Sequence, residues 1–558
     1  MTRRYPRGPW RAVAFAALIS LCACSTTPRH PSLRSQFDDA GYRRLVAAIA
    51  SYEFEGRRPG SAGADRAVAY LIETLRRFGA KPGNHGSYRQ EVPMVAIEPA
   101  APPTLSVTAD RGGLLRSAVA PADAVLWTPR ESGRGTLRRS RIVFAGYGID
   151  APTRGWDDYA GVDVRGATVL VLDGEPAGWT ARNAGPAGPL ALVREKLAVA
   201  AAHGAAGVLL IHRSGPLAVP WAAIVNRYGH GLIEAPATDG HGADAGVEGW
   251  IRSRAARRWF AAAGASFDAA VADADRPGFR ARPLGLAADA NVQATVRHFT
   301  SPNLVAIVPG GERRHEFLVY STRWYGLGIG AGRDAGQVLP GAIDDATGTA
   351  GWLILAQSFA NAVPRPARSI VFLATTGGEY GAIGARYYVA HPIYPLVRTV
   401  ADVNLALLHV GGPTRDVDSL GPTNSPLEPF LKNAADLQGR VVRPDPQPLR
   451  DRYLRSDAAV FAAHGVPALY AIGGLDDAAM GPVWGAARLD DYYARRYQRP
   501  GDGYAPSWHL RGTLLDLRLY EDVGRRIARA SRRHLQGKER HERRDGSRRP
   551  LLLYGSKP

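Results

Sequence analysis

The chain contains very little cysteine, with Cys22 and Cys24 as the only two among 558 residues. Both lie in the segment LCACS (21–25), which excludes a disulfide framework or a cysteine-ligated zinc site in the rest of the chain. Long hydrophobic runs are also missing. The segment AVAFAALISLCAC (12–24) comes nearest, yet it is shorter than the roughly 20 residues that a membrane-spanning helix needs.

The N-terminal residues have the pattern of a secretory signal. The positively charged MTRRYPRGPWR (1–11) precedes the apolar run, and LCACS resembles the lipobox of bacterial lipoproteins. The resemblance implies cleavage before Cys24 and acylation of that residue. We therefore expect a signal peptide at 1–23, a tether at 24–40 and a lipid anchor in the bacterial cell envelope. Ser25 favours the outer membrane, facing the periplasm.

Acidic residues are outnumbered, at 51 against 70 basic ones, which gives a net charge of +19. Such a balance can indicate an anionic partner, but no nucleic-acid-binding motif accompanies it, and we expect no nucleic acid. An arginine-rich composition and a basic tail at 536–558 account for much of the charge. An interaction protein that works through its basic face stays open as an alternative.

Four nearly continuous apolar runs indicate strands that are buried on both faces of a sheet. They are EFLVYST (316–322), RSIVFLAT (368–375), TVADVNLALL (399–408) and PALYAI (467–472). Helical patterns lie between them, so we predict an α/β fold. Residues 126–285 have a different pattern, in which short strand-like runs alternate with turn residues. Since ligands of open α/β sheets bind beyond the carboxyl ends of the strands, the residues that follow these runs are the candidates for a site.

The motifs after these runs resemble the di-zinc aminopeptidases of metallopeptidase family twenty-eight. The segments are STRWYGLGIG (321–330), GAIDDATG (341–348), TTGGEYGAIGA (375–385), NLALL (404–408), LRSDAAVF (454–461) and YQRPGDGY (497–504). The resemblance implies a mixed, mostly parallel sheet flanked by helices, with an inserted α+β protease-associated domain. We place the aminopeptidase-like domain at 41–125 and 286–535, and the insert at 126–285.

Members of that family bind two zinc ions through five side chains and use a separate glutamate as general base. By the resemblance, two of the five ligands remain, as Asp344 and Glu379. Arg323, Ala406 and Gln498 occupy the positions of the other three.

The general-base position is Gly378, and Tyr325 stands where an aspartate orients the first histidine ligand. Two oxygen ligands are too few for a catalytic zinc site, which uses about three protein ligands and an open position. Losing a general base alone lowers the rate by about 10²–10⁴-fold. We expect no catalytic residue and no cofactor, with Asp344 and Glu379 as unoccupied remnant ligands.

Arg323 adds a second argument, because a guanidinium cannot bind a cation. We predict that it pairs with Asp344 and Glu379 and replaces the lost positive charge of the metal. Other residues expected in the cleft are Asp345, Arg455 and Asp457. His409, three positions past Ala406, is expected to point to the opposite face of its strand and not to rescue the site.

These observations predict a non-catalytic, aminopeptidase-like lipoprotein that binds a peptide or a protein partner in a metal-depleted cleft. The alternative is an active zinc-dependent aminopeptidase with an altered site, for which zinc would be the cofactor. A serine hydrolase is not supported, because no segment matches G-x-S-x-G.

Overall fold

The chain is described by a computed structural model that covers residues 37–109, 113–115, 122–176, 193–215, 218–237, 245–423 and 425–535. The predicted signal peptide, the predicted lipidation site Cys24 and the basic tail lie outside these residues. Among the residues described, no helix combines the length and the apolar character needed to cross a membrane.

Four parallel strands form the centre of the main sheet: Arg313–Arg323, Arg368–Thr375, Thr399–Asn404 and Ala468–Gly473. Alternate side chains pack on opposite faces. Tyr320 lies in a core with Trp352 and Tyr520. Val319 lies in another with Tyr388. Burial on both faces explains why these strands read as continuous apolar runs in the sequence.

Further strands extend this sheet on both sides. They are Lys81–Pro82, Arg89–Pro99, Leu232–Glu234, Arg282–Val308, Asp416–Leu420 and Val441–Pro444. The helices in this part of the fold are Asp39–Ile49, Ala62–Arg77, Thr347–Ala360, Ile383–Ala390, Glu428–Asp436, Asp457–Ala463, Pro482–Arg495, Arg511–Arg529 and Arg532–Leu535. The predicted α/β fold with a mixed sheet flanked by helices is confirmed.

A second sheet has its own core. Its strands are Thr104–Ala109, Gly113–Leu115, Ala124–Trp127, Arg134–Phe144, Thr168–Leu172, Gly207–His212 and Val247–Arg252, together with the start of Arg282–Val308. The helices are Val193–Ala202, Trp221–Tyr228, Ser253–Ala262 and Phe267–Ala274, and Asp150–Ala151 pairs with Trp156–Asp157 as a small ribbon. Most of this sheet falls in 126–285, and we call it the second sheet below.

The two sheets share one long strand. Arg282–Val308 pairs with Thr104–Ala109 and Arg134–Phe144 through its first half, and with Arg89–Pro99 and Arg368–Thr375 through its second half. The second sheet is therefore joined to the main sheet by continuous backbone pairing. This pairing fixes the position of the helices of the second sheet relative to the main sheet.

We expect Trp352→Ala to lower the free energy of unfolding by about 3–5 kcal/mol, measured by urea denaturation. Trp352 is fully buried, donates from its indole nitrogen to the Tyr320 carbonyl at 3.0 Å and packs edge-on against Phe372. Val483→Ala is the control, since Val483 is 84% exposed, and it should change that free energy by less than about 0.5 kcal/mol. A loss below about 1 kcal/mol for Trp352→Ala would contradict this packing.

Candidate functional site

The carboxyl ends of the central strands bring most of the predicted site residues together. Arg323 is the last residue of its strand, and Glu379 lies in the short 3₁₀ turn Gly378–Tyr380 that follows the next strand. Asp344 lies in the turn before the helix Thr347–Ala360. These positions share one small pocket with Tyr325, Asp345 and Gln498.

The guanidinium of Arg323 bridges the two remnant carboxylates. Its Nη1 donates to Glu379 Oε1 at 2.9 Å and its Nη2 donates to Asp344 Oδ1 at 2.9 Å. A third carboxylate oxygen, Asp345 Oδ2, lies 3.9 Å from Arg323 Nε. All four side chains are less than 10% exposed. The ion pairs that the sequence predicted for Arg323 are therefore present.

Glu379 has two further partners. Gln498 donates from its amide nitrogen to Glu379 Oε2 at 2.8 Å, and the guanidinium of Arg227 donates to the same oxygen. Arg227 belongs to the helix Trp221–Tyr228, which packs with the second sheet. The carboxylate that would bind a metal in the related enzymes is here surrounded by two guanidinium groups and one amide.

The same helix seals the site from one side. Asn226 is fully buried and donates to Asp334 Oδ2 at 2.9 Å and to the Gln498 carbonyl at 2.8 Å. Its side-chain oxygen accepts from the Ala331 amide at 2.9 Å. We call this helix, Trp221–Tyr228, the sealing helix.

The electrostatics of the cluster follow from its burial. Burial alone would lower the pKa of Arg323, but the charges of Asp344, Asp345 and Glu379 raise that pKa well above its ordinary value. Burial would raise the pKa of Glu379, but Arg227 and Arg323 lower it below its ordinary value. Glu379 is therefore ionised at neutral pH, and Arg323 keeps its charge.

Two neighbouring aspartates have raised pKa values, because the effect of burial is larger than that of the groups that lower the pKa. Burial raises the pKa of Asp345 well above its ordinary value, while Asp345 Oδ1 accepts the backbone amide of Leu407 at 2.8 Å. Burial raises the pKa of Asp502 to about 7. Asp502 accepts the amides of Ile343 at 2.9 Å and Asp344 at 3.1 Å, and so holds the turn that carries Asp344.

Tyr325 occupies the space beside Gly378, the predicted general-base position. A Cβ atom at Gly378 would lie 2.4 Å from the Tyr325 hydroxyl oxygen and 3.3 Å from Arg323 Cδ. No L-residue with a side chain fits at 378 unless Tyr325 moves. The side chains of Arg323 and Tyr325 therefore require a glycine at position 378.

The remaining predicted residues lie around this centre. Ala406 belongs to an apolar cluster with Leu420, Ala458, Tyr470 and Ile472. Asp457 is buried and accepts a hydrogen bond from the Thr375 hydroxyl at 2.8 Å. Arg455 donates to the Tyr497 hydroxyl at 3.2 Å and reaches Glu379 only through its charge.

Three residues of the site were not predicted from the sequence: Arg227, Asn226 and Asp502. Arg227 is separated from Glu379 by 152 positions, and no spacing rule connects a helix of one sheet to a turn of another. Asp502 lies within the segment YQRPGDGY, and its role depends on a backbone turn that the sequence does not show.

A zinc ion does not fit these residues. The guanidinium of Arg323 lies between the two carboxylates and would repel a cation there. Within the described ranges, no group of three or more His, Cys, Asp or Glu side chains is arranged to hold a metal. The pocket at the centre has a volume of about 20 Å³, which is room for one water molecule.

We expect Arg323→Ala to lower the free energy of unfolding by about 3–5 kcal/mol, because Asp344 and Glu379 lose a buried partner. The loss should be larger near pH 8 than near pH 4. Burial already raises the pKa of Asp344 in the intact chain, where Arg323 is the main charge that lowers it. Removing Arg323 raises this folded-state pKa further above the unfolded value, so the stability of the variant falls more steeply as pH rises above the unfolded value.

Urea denaturation at both pH values measures this effect. Arg76→Ala is the matched control, because Arg76 pairs with Glu73 on the surface, where both side chains are more than half exposed. That variant should lose less than about 1 kcal/mol at either pH. Equal losses for the two variants would show that the Arg323 pairs add no more stability than a surface pair.

Comparison with known proteins agrees with this fold. A sequence model of peptidase family M28 matches residues 303–517. No curated protein matches the chain. An aminopeptidase from Aneurinibacillus sp. strain AM-1 is similar in structure, with a TM-score of 0.52 and 18% identity, over 89% of this chain and 95% of that one.

Two further solved structures are similar at lower scores. The zinc aminopeptidase BSAP from Bacillus subtilis has a TM-score of 0.46 and 16% identity, over 89% of this chain and 97% of that one. A peptidase M28 precursor from Shewanella amazonensis SB2B has a TM-score of 0.44 and 16% identity, over 88% and 98%. Residues 303–517 therefore match the peptidase family M28 model, and the fold is similar to that of the Aneurinibacillus aminopeptidase.

Proposed function

We propose that this chain is a non-catalytic relative of the aminopeptidases, a pseudopeptidase of the cell envelope that binds a peptide or a protein partner without hydrolysing it. The single observation that carries this proposal is the position of Arg323, with both remnant carboxylates hydrogen-bonded to its guanidinium. A hydrolytic zinc site needs open coordination positions and a carboxylate base. Here the Arg323 guanidinium lies between the two carboxylates, and Gly378 stands at the predicted base position.

The charge of the cluster bears on what it binds. Arg227, Arg323 and Arg455 all lower the pKa of Glu379, so three guanidinium groups act on this one carboxylate. Positive charge therefore prevails around Glu379, which disfavours the protonated amino terminus that an aminopeptidase accepts. A ligand of the cleft is expected to present neutral or anionic groups to it.

The retained fold supports a present role for the cleft. The turn around Asp344, the sealing helix and the ion pairs of Arg323 are buried or half-buried and hydrogen-bonded. An envelope location with a lipid on Cys24 belongs to the same proposal and is supported by the pattern of residues 1–25.

Zinc content tests the loss of catalysis. The purified chain without residues 1–23, dialysed against micromolar zinc, should hold less than about 0.2 zinc per chain by mass spectrometry. It should also release no product from aminoacyl-p-nitroanilides. About one zinc per chain together with chelator-sensitive hydrolysis would establish the active aminopeptidase instead.

A variant with restored ligands is the matched positive control. Arg323→His, Tyr325→Asp, Gly378→Glu, Ala406→Asp and Gln498→His together rebuild the ligand set and the base that the resemblance implies. Tyr325→Asp has to be included because Tyr325 fills the space next to Gly378. Zinc uptake by this variant, with circular dichroism showing that it folds, would show that the assay detects a competent site.

Lipidation is tested by expressing the full chain and its Cys24→Ala variant in bacteria. The unmodified chain should be found in the membrane fraction and carry an acylated N-terminal cysteine by mass spectrometry, and Cys24→Ala should not. Cys22→Ala is the control, because Cys22 would leave with the signal peptide. The same fractionation for all three chains would contradict the anchor.

A further inference from the structure

A second pocket lies beside the Arg323 cluster, on the other side of Ile343. It is bounded by the loop Leu407–Val410 and by the helix Pro482–Arg495, and its volume is about 80 Å³. The loop begins just past the strand Thr399–Asn404, so His409 does not belong to that strand. The prediction that His409 points to the opposite face of the strand is therefore wrong, and His409 lines this pocket.

Most of the pocket surface is apolar. Leu408, Ile472, Leu475 and Leu489 contribute to its lining. An engineered cavity of about 150 Å³ with such a lining takes up benzene. A pocket of about half that volume suits a branched group of about four carbon atoms.

Two polar atoms of the pocket lack partners within the described part of the protein. His409 Nε2 and Arg452 Nε are both buried and make no hydrogen bond there. Arg452 is 4% exposed, and only its terminal nitrogen pairs, with Asp445 at 2.6 Å. A buried nitrogen without a hydrogen-bond partner is unfavourable, so these atoms point to a missing partner.

Arg488 supplies a free positive charge at the same pocket. Its guanidinium lies 4.7 Å from the Trp484 ring centroid, and among the described residues no carboxylate is within ion-pair distance of it. Arg496, also in the lining, is paired with Asp491 at 3.0 Å. Burial lowers the pKa of His409 to about 4, so its imidazole is neutral at pH 7.

We propose that this pocket binds a small aliphatic carboxylate, with a branched alkyl group in the apolar part and the carboxylate on Arg488. Arg488 would supply the charge, and Arg452 Nε and His409 Nε2 would supply hydrogen bonds inside the pocket. An amine would be repelled by the arginines, and a purely apolar ligand would leave the buried nitrogens unpaired. The proposal concerns a pocket distinct from the Arg323 cluster and holds whether or not the chain hydrolyses peptides.

Isothermal titration of the chain without residues 1–23 with 3-methylbutanoate tests the proposal. We expect saturable binding, and Arg488→Ala should weaken it by at least about tenfold, since charge-assisted hydrogen bonds are among the strong ones. Arg495→Ala is the matched control, because Arg495 lies on the same helix, is paired with Asp491 and has a side chain that is 79% exposed. It should change the affinity by less than about twofold.

The neutral isostere 3-methylbutanamide tests the need for charge and should not bind measurably. N-acetyl-leucine presents the same isobutyl group and carboxylate as a peptide C-terminus. Tighter binding of N-acetyl-leucine would assign the site to a chain terminus, and tighter binding of 3-methylbutanoate would assign it to a free acid. In either case, Arg488→Ala should weaken the binding of the preferred carboxylate to the same extent.

Three results would overturn the proposal. They are the absence of binding of either carboxylate up to about 10 mM, equal binding of the amide, and unchanged affinity in Arg488→Ala. Leu489→Trp gives a second check, because Leu489 lines the pocket and is only half-buried. An indole there should fill the apolar part and abolish binding while the thermal midpoint stays close to that of the unmodified chain.

Discussion

The contacts of the Arg323 guanidinium with Asp344 and Glu379 determine the character of the site. Two buried carboxylates that face each other at the end of a sheet need a cation between them. In a di-zinc enzyme the metal supplies that charge, and here a side chain of the same sheet supplies it at 2.9 Å from each carboxylate. Once a fixed guanidinium holds this position, a metal ion is no longer needed for the fold and is repelled from the site.

The other residues of the site are compatible with the pairing of Arg323 with Asp344 and Glu379. Tyr325 fills the space that a side chain at 378 would need. Ala406 lies among apolar residues, where an unpaired carboxylate would be costly. The sealing helix adds Arg227 to Glu379 and ties Asn226 to the Gln498 carbonyl. The second sheet thus contributes directly to the cluster through its sealing helix. The long strand Arg282–Val308 belongs to both sheets and joins that helix's sheet to the main sheet.

Much of the fold and of the cluster follows from the sequence. The buried strands are visible as apolar runs, and Arg323 and Glu379 follow the ends of two neighbouring runs. Asp344 lies in a loop segment, and the family resemblance placed it beside them. The pairing of Arg323 was predicted from the resemblance to the family's ligand positions together with the charges of the three side chains. Arg227 and Asn226 could not be predicted, because their contacts depend on how a helix of the second sheet lies across the first. His409 was misplaced, because the strand before it ends at Asn404, earlier than its apolar pattern suggests.

The central claim is that Arg323 holds the place of the metal, and X-ray diffraction at the zinc absorption edge tests it most directly. Crystals of the chain grown with zinc would be measured on both sides of the edge. We predict no anomalous peak within coordination distance of Asp344 or Glu379, with continuous density for the Arg323 guanidinium between them. A strong peak between the two carboxylates, with Arg323 turned away, would contradict the account.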